Sequence, residues 1–390
     1  MNPDSRKQIA IVYFDAASGH RSAAAALKRV LDEDYPAWQT DTINIVDVFD
    51  HHKRLGPVAR YGIDRFNRQL KKDRVFDLNG HINLGLLSHD LLKERGIRQL
   101  ARYWADAPPD AVVSVTPMYN PALFQSVRMV NPKAICITIP VDFEQPKARY
   151  WFTPKTEQHY LNGTERLWQQ ARQLGIPDSH NHRLSGMIAD PACYLPAPPN
   201  RAEMLRQLGL DPALPTGLMS FGGQGCTLLL DTAKVVAGSK LAVNMLFLCG
   251  RSDNVRRAIE QIPAPYPRLA LGYLPDTPVP YLHLADFAIG KPGTMTITEA
   301  LITQTPLIAI KSRGMRLVQR GNEEWLVEKG VGILADGVRE VVPAIRQILS
   351  SDDYRQRTAE HLHRAIYEAA AILGRLVGRA SSVPGPLTTP

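Results

Sequence analysis

The chain has 390 residues, 44% of them hydrophobic, and a net charge of +8, a size that exceeds one hydrophobic core and predicts two domains. Its four cysteines (Cys136, Cys193, Cys226 and Cys249) are widely spaced and form no Cys-x-x-Cys pair, which argues against a disulfide framework or a zinc site and favours a reducing cytoplasm. The polar first eight residues leave no room for a signal-peptide core, and no apolar run approaches the ~18 residues of a membrane-spanning helix.

In the first half of the chain, short apolar runs alternate with amphipathic ones. Strands that alternate with helices predict a parallel sheet covered by helices on both faces. The predicted strands are 8–14, 42–48, 111–115, 134–139 and 183–185, and the predicted helices are 22–31, 91–104, 121–130 and 157–174.

A proline-rich stretch at 191–199 predicts an interdomain linker, after which a second series of strands and helices begins. The predicted fold class is therefore α/β, with two Rossmann-like doubly wound parallel-sheet domains that face each other across a cleft and bind ligands at the carboxyl ends of their strands. The second series comprises strands 217–221, 245–248, 269–273, 286–289, 307–310 and 332–334, and helices 228–236, 254–261, 279–284, 323–329, 338–349 and 353–376.

The same pattern gives domain boundaries. We place the first domain at residues 1–192, the linker at 193–200 and the second domain at 201–352. Residues 353–380 are expected to form a C-terminal helix that packs back on the first domain, and the polar, proline-rich residues 381–390 a disordered tail.

The most informative motif runs from Gly290 to Leu301, where an apolar strand passes through a glycine turn into a helix. Such a turn places unpaired backbone N–H groups and the positive end of a helix dipole at the tip of a strand, where a phosphate can bind. Glu299, one turn into the helix, is placed to accept hydrogen bonds from sugar hydroxyls. The alternative is an ordinary strand-to-helix turn.

The first strand-to-helix turn, at 15–22, has neither the Gly-x-Gly-x-x-Gly order of dinucleotide-binding proteins nor a Walker lysine. It contains His20 at the start of a helix, where the positive dipole end keeps an imidazole neutral and able to accept a proton. His20 is therefore the candidate general base, and the alternative is a histidine that only caps the helix.

Two further strand ends in the second domain carry glycines. Gly222, Gly223 and Gly225 follow one strand, and Gly250 and Arg251 follow the next. Residues without side chains let backbone amides approach a ligand closely. Because these strand ends and the Gly290 turn belong to one predicted sheet, they are expected to converge on one crevice.

The positive charge is concentrated in one segment, 51–103, which has twelve Lys or Arg against five Asp or Glu. Its basic residues are interleaved with apolar ones, a pattern that suits contact with anionic lipid headgroups. The alternative is a solvated basic helical region whose apolar side chains face the core.

Two motifs carry a resemblance to a known family. Residues 18–24, Ser-Gly-His-Arg-Ser-Ala-Ala, resemble the Gly-Gly-Gly-His-Arg-Ser-Ala-Ala signature of monogalactosyldiacylglycerol synthases and their bacterial processive glycolipid-synthase relatives. Residues 272–332 resemble the nucleotide-sugar domain of that family and of the peptidoglycan lipid-intermediate N-acetylglucosaminyltransferase. On these motifs the chain is identified as a member of the family 28 glycosyltransferases, which have the GT-B fold.

The resemblance implies an inverting transfer of a sugar from a UDP-sugar to a hydroxyl of a lipid-type acceptor such as diacylglycerol, with no cofactor and no metal. The first domain would face the acceptor and the membrane, and the second would bind the nucleotide sugar. His20 matches the acceptor base. The implied donor-binding residues are Gly222, Gly223, Gly225, Gly250, Arg251, Lys291, Gly293, Thr294, Thr296, Glu299, Gln319 and Asn322. On the acceptor side we place Gly19, Arg21, Tyr119, Asn120 and Asp142.

The chain also departs from the family pattern. Where relatives carry a donor-contacting Gly-Gln-Glu-x-Gly-Asn segment, residues 313–322 are longer and more basic, and only Gln319 and Asn322 are retained, which opens the question of a more acidic sugar or an extra phosphate contact. In the acceptor region Asp142 is retained, but the histidine that follows it in relatives is not.

The expected partners are a UDP-sugar, a lipid or other hydroxyl acceptor and an anionic membrane surface, with no nucleic acid. The expected location is the cytoplasm, either free or on the inner face of the membrane. Two rivals stay open: a UDP-sugar 2-epimerase of the same fold, and a basic nucleic-acid-binding protein, although no aromatic-basic stacking pattern supports the latter. The sequence does not choose between galactose, glucose, N-acetylglucosamine and a uronic acid, nor does it name the acceptor.

Overall fold

A computed structural model of the protein describes residues 6–15, 19–51, 55–71, 78–80, 82–83, 94–223, 226–274, 277–311 and 314–378. The loop residue Gly225, the tail at 381–390 and part of the basic segment at 51–103 lie outside these residues.

The described residues form two six-stranded sheets in which every strand pair is parallel. The first sheet has the order β2-β1-β3-β4-β5-β6 and the second the order β12-β11-β10-β7-β8-β9. The predicted fold class is confirmed. The strands are β1 (Gln8–Tyr13), β2 (Gln39–Asn44), β3 (Ala111–Ser114), β4 (Ile135–Thr138), β5 (His159–Asn162), β6 (Asn181–Arg183), β7 (Thr216–Ser220), β8 (Asn244–Leu248), β9 (Arg268–Leu271), β10 (Phe287–Gly290), β11 (Leu307–Ile310) and β12 (Gly332–Ala335).

Helices cover both faces of each sheet, which is why the central strands are buried throughout, as parallel strands require. The helices are α1 (Gly19–Asp34), α2 (Ile45–Phe49), α3 (Leu55–Lys71), α4 (Glu94–Ala101), α5 (Asn120–Arg128), α6 (Glu165–Gln173), α7 (Arg201–Gln207), α8 (Thr227–Ala237), α9 (Asp253–Glu260), α10 (Val279–Leu282), α11 (Thr294–Ile302), α12 (Arg316–Lys329), α13 (Val341–Leu349), α14 (Asp353–Glu360) and α15 (Ala365–Leu376).

The strand predicted at 42–48 was wrong in its second half. The strand β2 ends at Asn44, whose side chain accepts a hydrogen bond from the backbone N–H of Val46 and caps the helix α2. Asparagine favours such caps because its short side chain competes for backbone N–H groups. The apolar run Ile45–Phe49 is therefore a buried helical turn.

The single helix predicted at 157–174 was also wrong. Its first part is the strand β5, and the helix α6 begins only after Thr164, whose hydroxyl accepts a hydrogen bond from the N–H of Leu167. A buried four-residue strand and a buried helical turn look alike in sequence, and only pairing of β5 with β4 and β6 separates them.

The C-terminal region, predicted as one helix at 353–376, is two helices. The first, α14, lies on the second half of the chain, where Arg355 contacts Asp286 at 3.5 Å. The second, α15, packs on α1 of the first half, and the hydroxyl of Tyr35 donates to the carbonyl oxygen of Ala370 at 3.4 Å. The proposed domain boundaries themselves stay a prediction.

The contact between α1 and α15 requires a residue without a side chain at position 374. A Cβ atom on Gly374 would lie 2.0 Å from the Tyr35 hydroxyl oxygen. The ring of Tyr35 cannot retreat, because it is buried and stacked on Trp38 with 4.2 Å between ring centroids.

We therefore expect Gly374→Ala to destabilise the protein by ~1–3 kcal/mol, the usual cost of overpacking a core, and to lower the midpoint of thermal unfolding followed by circular dichroism. The matched control is Gly238→Ala at the end of α8, where a Cβ atom would have its nearest neighbour at 3.7 Å. Equal midpoints for the two variants would contradict this account of the contact.

Candidate active site

A cavity of about 470 Å³ lies where the carboxyl ends of the two sheets face each other. Its walls include the loops that follow β1, β3 and β4 on one side and β7, β8, β9 and β10 on the other, together with parts of α3 and α12. Fifteen of the residues singled out from the sequence line it: Gly19, His20, Arg21, Tyr119, Asp142, Gly222, Gly223, Gly250, Lys291, Gly293, Thr294, Thr296, Glu299, Gln319 and Asn322.

Two of the described candidates are not in the cavity wall. The side chain of Asn120 is buried, accepts a hydrogen bond from Ser114 at 2.6 Å and donates one to Thr138 at 2.9 Å. These bonds tie β3, β4 and α5 together, so Asn120 has a structural position and not the acceptor-side one expected. Arg251 is exposed, and its guanidinium carbon lies 3.8 Å from the centroid of the ring of Tyr273, a residue of the cavity wall.

His20 is the second residue of α1, and its Nδ1 lies 2.7 Å from the carbonyl oxygen of Val115. Because a carbonyl oxygen only accepts, Nδ1 carries the proton of the neutral ring and Nε2 is left with a free lone pair. Burial lowers the pKa of His20 to about 4, and the bond to Val115 opposes that shift only in part. The ring is therefore neutral at physiological pH and able to accept a proton.

Asp142 follows β4 and faces the same cavity. Its carboxylate accepts a hydrogen bond from the indole Nε1 of Trp151 at 2.9 Å, and the Trp151 ring lies 6.1 Å from the ring of His20. Burial raises the pKa of Asp142 to about 7 despite the bond from Trp151, and the charge of Glu144 acts in the same direction as burial. A group with this pKa exchanges protons near neutral pH.

On the opposite wall, the helix α11 begins at Thr294, and its N-cap residue, Gly293, has no side chain with which to cap the first N–H groups. The first N–H groups of a helix have no partner within it and carry the positive end of the helix dipole. Lys291 lines the cavity beside them. This arrangement of amides and a cation suits the phosphates of a nucleotide.

Glu299 lies in the same helix and also faces the cavity. Burial raises its pKa to about 8, with a further contribution from the charge of Asp190. At neutral pH its carboxyl group is therefore mainly protonated before a ligand binds, so it places no full negative charge beside the phosphate-type site.

The loop after β7 needs a glycine at position 222. Gly222 has a φ of +94°, a backbone conformation that side chains disfavour. The backbone N–H of Arg251 donates to the carbonyl oxygen of Gly223 at 3.0 Å and so joins this loop to the one after β8. The ring of Tyr273, after β9, completes this corner of the cavity.

Gln319 is the one cavity residue among those described whose buried side-chain oxygen has no hydrogen-bond partner. It is 9% exposed. An unpaired buried acceptor costs about 1–3 kcal/mol, so a ligand that donates a hydrogen bond there is favoured. The basic residues of this segment that the structure describes, Arg316 and Arg320, are exposed and outside the cavity wall, and Arg320 pairs with Glu324 at 2.7 Å.

Beside His20 the cavity is an apolar chamber. Tyr119 belongs to its wall and packs on Phe49 at 5.1 Å between ring centroids, and burial raises the pKa of Tyr119 to about 12. Most of this chamber was not predicted from the sequence. The signal available in the sequence was the aromatic run Tyr150–Phe152, of which Tyr150 lines the cavity. The other apolar members are Phe14, Ile63, Phe66, Leu78, Ile82, Met118 and Val141.

Among the described residues, no group of three or more His, Cys, Asp or Glu side chains is arranged to hold a metal ion. In the same part of the chain, no helix is both long and apolar enough to cross a bilayer.

The chain is similar to known proteins over most of its length. The chain is 22% identical to monogalactosyldiacylglycerol synthase 1 of Arabidopsis thaliana, over 98% of this chain and 73% of the plant protein. It is 23% identical to the processive diacylglycerol beta-glucosyltransferase of Staphylococcus carnosus, over 69% of this chain and 67% of the bacterial protein. No family model matches the chain.

Among solved structures, Acinetobacter baumannii MurG superimposes with a TM-score of 0.58 and 12% identity, over 95% of this chain and 99% of MurG. The chain has the GT-B fold of glycosyltransferases. The resemblance to the glycolipid-synthase family that the two motifs predicted is also confirmed, at low identity but over nearly the whole chain.

The geometry of His20 makes a direct prediction for this GT-B protein. We expect one histidine ring, identified by its absence in His20→Asn, to titrate with a midpoint near pH 4 in nitrogen-15 NMR spectra, because burial penalises its charged form. Above that pH, Nδ1 is expected to be the protonated nitrogen. A midpoint near 6.5, the value of a solvated imidazole, would show that the ring is not desolvated.

Proposed function

We propose that the protein is an inverting glycosyltransferase that moves a sugar from a UDP-sugar to a hydroxyl group of a lipid-type acceptor such as diacylglycerol. The proposal rests on the residues that line one cavity. One wall has a neutral histidine beside an apolar chamber, and the other has an uncapped helix N-terminus with a lysine. The relatives named for glycolipid synthesis support the same reading.

In this proposal the donor lies against the second half of the chain. Its diphosphate binds the first N–H groups of α11 and Lys291, Glu299 contacts the ribose, and the Tyr273 corner receives the base. The sugar then extends towards Gln319, whose unpaired oxygen accepts a hydrogen bond from a sugar hydroxyl or an amide N–H. The described arginines of residues 313–322 lie outside the cavity, which favours a neutral sugar over a uronic acid.

The reaction needs one proton acceptor and one stabilised leaving group. The acceptor hydroxyl gives its proton to Nε2 of His20 while its oxygen forms a bond to the anomeric carbon of the sugar. The bond between that carbon and the diphosphate oxygen breaks, and the new bond lies on the opposite face of the sugar ring. The amides of α11 and Lys291 stabilise the departing charge, which lets us propose that the enzyme needs no metal.

The helix α3 connects the chamber to the protein surface. Ile63 and Phe66 face the cavity, whereas Tyr61, Arg65 and Arg68 are exposed, and Tyr61 is 62% exposed. One helix therefore has an apolar inner face and a basic aromatic outer face, which suits attachment to anionic headgroups. We propose that the protein works at the cytoplasmic face of a membrane and draws its acceptor from there.

The test is to incubate the protein with a panel of radiolabelled UDP-sugars, with and without vesicles that contain diacylglycerol and an anionic phospholipid. Transfer of label to lipid supports the proposal. Release of free sugar without vesicles indicates a 2-epimerase instead. Tight, salt-sensitive binding of polynucleotides without transfer would favour the nucleic-acid alternative.

For His20→Ala we expect loss of transfer by ~100-fold or more, because one acid-base group is removed, while calorimetry shows unchanged UDP affinity. The matched control is His361→Ala, which changes a histidine outside the cavity wall and is expected to turn over at the wild-type rate. Transfer by His20→Ala at a rate close to that of the wild type would reject the base assignment.

Gly62 in α3 offers a test of the acceptor chamber, because it lines the cavity and a Cβ atom there would meet nothing within 4 Å. We expect Gly62→Phe to fill the chamber and lower kcat/KM for long-chain diacylglycerol by roughly 10- to 50-fold, the value of two or three excluded CH₂ groups. UDP affinity stays the same, and Gly62→Ala behaves as wild type. An equal loss with short-chain and long-chain acceptors would contradict a hydrocarbon site.

A further inference from the structure

The side chain of Asn322, in α12, joins three segments of the protein. Its Oδ1 accepts a hydrogen bond from the backbone N–H of Phe143 at 3.1 Å. Its Nδ2 donates to the carbonyl oxygen of Pro292 at 3.0 Å and lies 3.2 Å from the hydroxyl of Thr294. Phe143 belongs to the loop after β4 in the first half, whereas in the second half Pro292 lies in the turn before α11 and Thr294 is the first residue of that helix.

These bonds use most of what a carboxamide offers. An asparagine side chain has two N–H donors and one oxygen with two lone pairs. Both donors and one lone pair of Asn322 are engaged within the protein, and the residue is 2% exposed. Little capacity is left for a donor sugar, although the family resemblance implies a donor-binding role at this position.

Residues near Asn322 make further contacts between the two halves of the chain. The neighbouring Gly321 packs directly on the side chain of Glu144, 2.2 Å from where a Cβ atom would lie. Arg166 of the first half pairs with Glu144 at 3.0 Å and with Glu324 of α12 at 3.1 Å. The rings of Phe143 and Trp325 have their centroids 4.7 Å apart.

We propose that Asn322 is a positioning residue, which holds the loop that carries Asp142 in register with the turn that binds the diphosphate. The inference rests on the proposed function for its catalytic consequence, but the bridge itself does not. Phe143 follows Asp142 directly, and Thr294 begins α11, so one amide group sets the distance between the acceptor wall and the leaving-group site.

Such a role matters because the acceptor oxygen must approach the anomeric carbon in line with the bond from that carbon to the diphosphate oxygen. A misplacement of about 1 Å at a reacting centre costs on the order of 100-fold in rate. Loss of the bridge should therefore slow the reaction more than it weakens binding of either substrate.

The experiment compares Asn322→Ala and Asn322→Asp with a matched variant, Asn244→Ala. Asn244 is another buried asparagine, and its bonds to Asp211, Leu214 and Thr216 stay within the second half. The variant Asn244→Ala therefore removes a buried amide but leaves the contact between the halves unchanged. All variants are assayed well below their unfolding temperatures.

The first readout is hydrogen exchange at the amide of Phe143, followed by NMR or mass spectrometry. We expect faster exchange in Asn322→Ala and wild-type protection in Asn244→Ala. In Asn322→Asp the retained Oδ1 keeps Phe143 protected while the bond to Pro292 is lost. Unchanged protection of Phe143 in Asn322→Ala would overturn the proposal.

The second readout separates positioning from direct donor binding. A positioning role predicts that kcat falls by ~100-fold in Asn322→Ala, while the affinities for UDP and for the intact UDP-sugar change together and little. If the variant loses affinity for the UDP-sugar and not for UDP, Asn322 is a sugar ligand and the proposal fails. If the wild-type protein transfers no sugar, the proposed function fails, while the exchange result still decides whether the bridge exists.

Discussion

Burial of one face of α1 is the constraint on which the site depends. The residues Ala23, Leu27 and Leu31 are fully buried, and the helix packs on β1 and β2 of its own sheet, on α11 of the other half and on α15 from the C-terminus. His20 stands in the first turn of this helix. The hydrophobic contact that joins the halves of the chain therefore also sets the position of the imidazole relative to the turn at Gly293, and Asn322 reinforces that alignment from the other side of the cavity.

Desolvation gives the cavity its chemistry. Burial lowers the pKa of His20 to about 4 and raises the pKa values of Asp142 and Glu299 to about 7 and about 8. Each shift favours the neutral form, because a charge loses solvation when it is buried. A neutral imidazole, two carboxyls with weakened acidity and an uncapped helix end make a site in which repulsion of an anionic diphosphate leaving group is reduced. Perturbed groups of this kind cluster at functional sites.

The chain has the GT-B fold of its structural neighbours, but residues 313–322 depart from the motif of the family that it resembles. The segment at 313–322 keeps Gln319 and Asn322, whose side-chain amides differ in their hydrogen bonds. The oxygen of Gln319 has no partner at the cavity, whereas the amide of Asn322 bonds to both halves of the chain. The helix α3 adds a second local feature, since its inner face extends the acceptor chamber and its outer face is basic. In the proposed function, donor choice depends on a segment that departs from the family pattern, and acceptor choice depends on the chamber that α3 extends.

Local patterns in the sequence determined the two-sheet α/β class, most of the strands and helices, and the motif residues at strand ends, because hydrophobic periodicity and glycine turns act over a few residues. His20, Lys291 and Glu299, which line the cavity, were singled out in this way, and their roles stay predictions. The division of 157–174 into a strand and a helix, the burial of Asn120, the chamber built from Phe49, Phe66 and Met118, and the bridge made by Asn322 were decided only by tertiary structure. Each of these depends on which distant segments meet, since a hydrogen bond from Phe143 to Asn322 or a missing partner for Gln319 leaves no trace in the neighbouring residues.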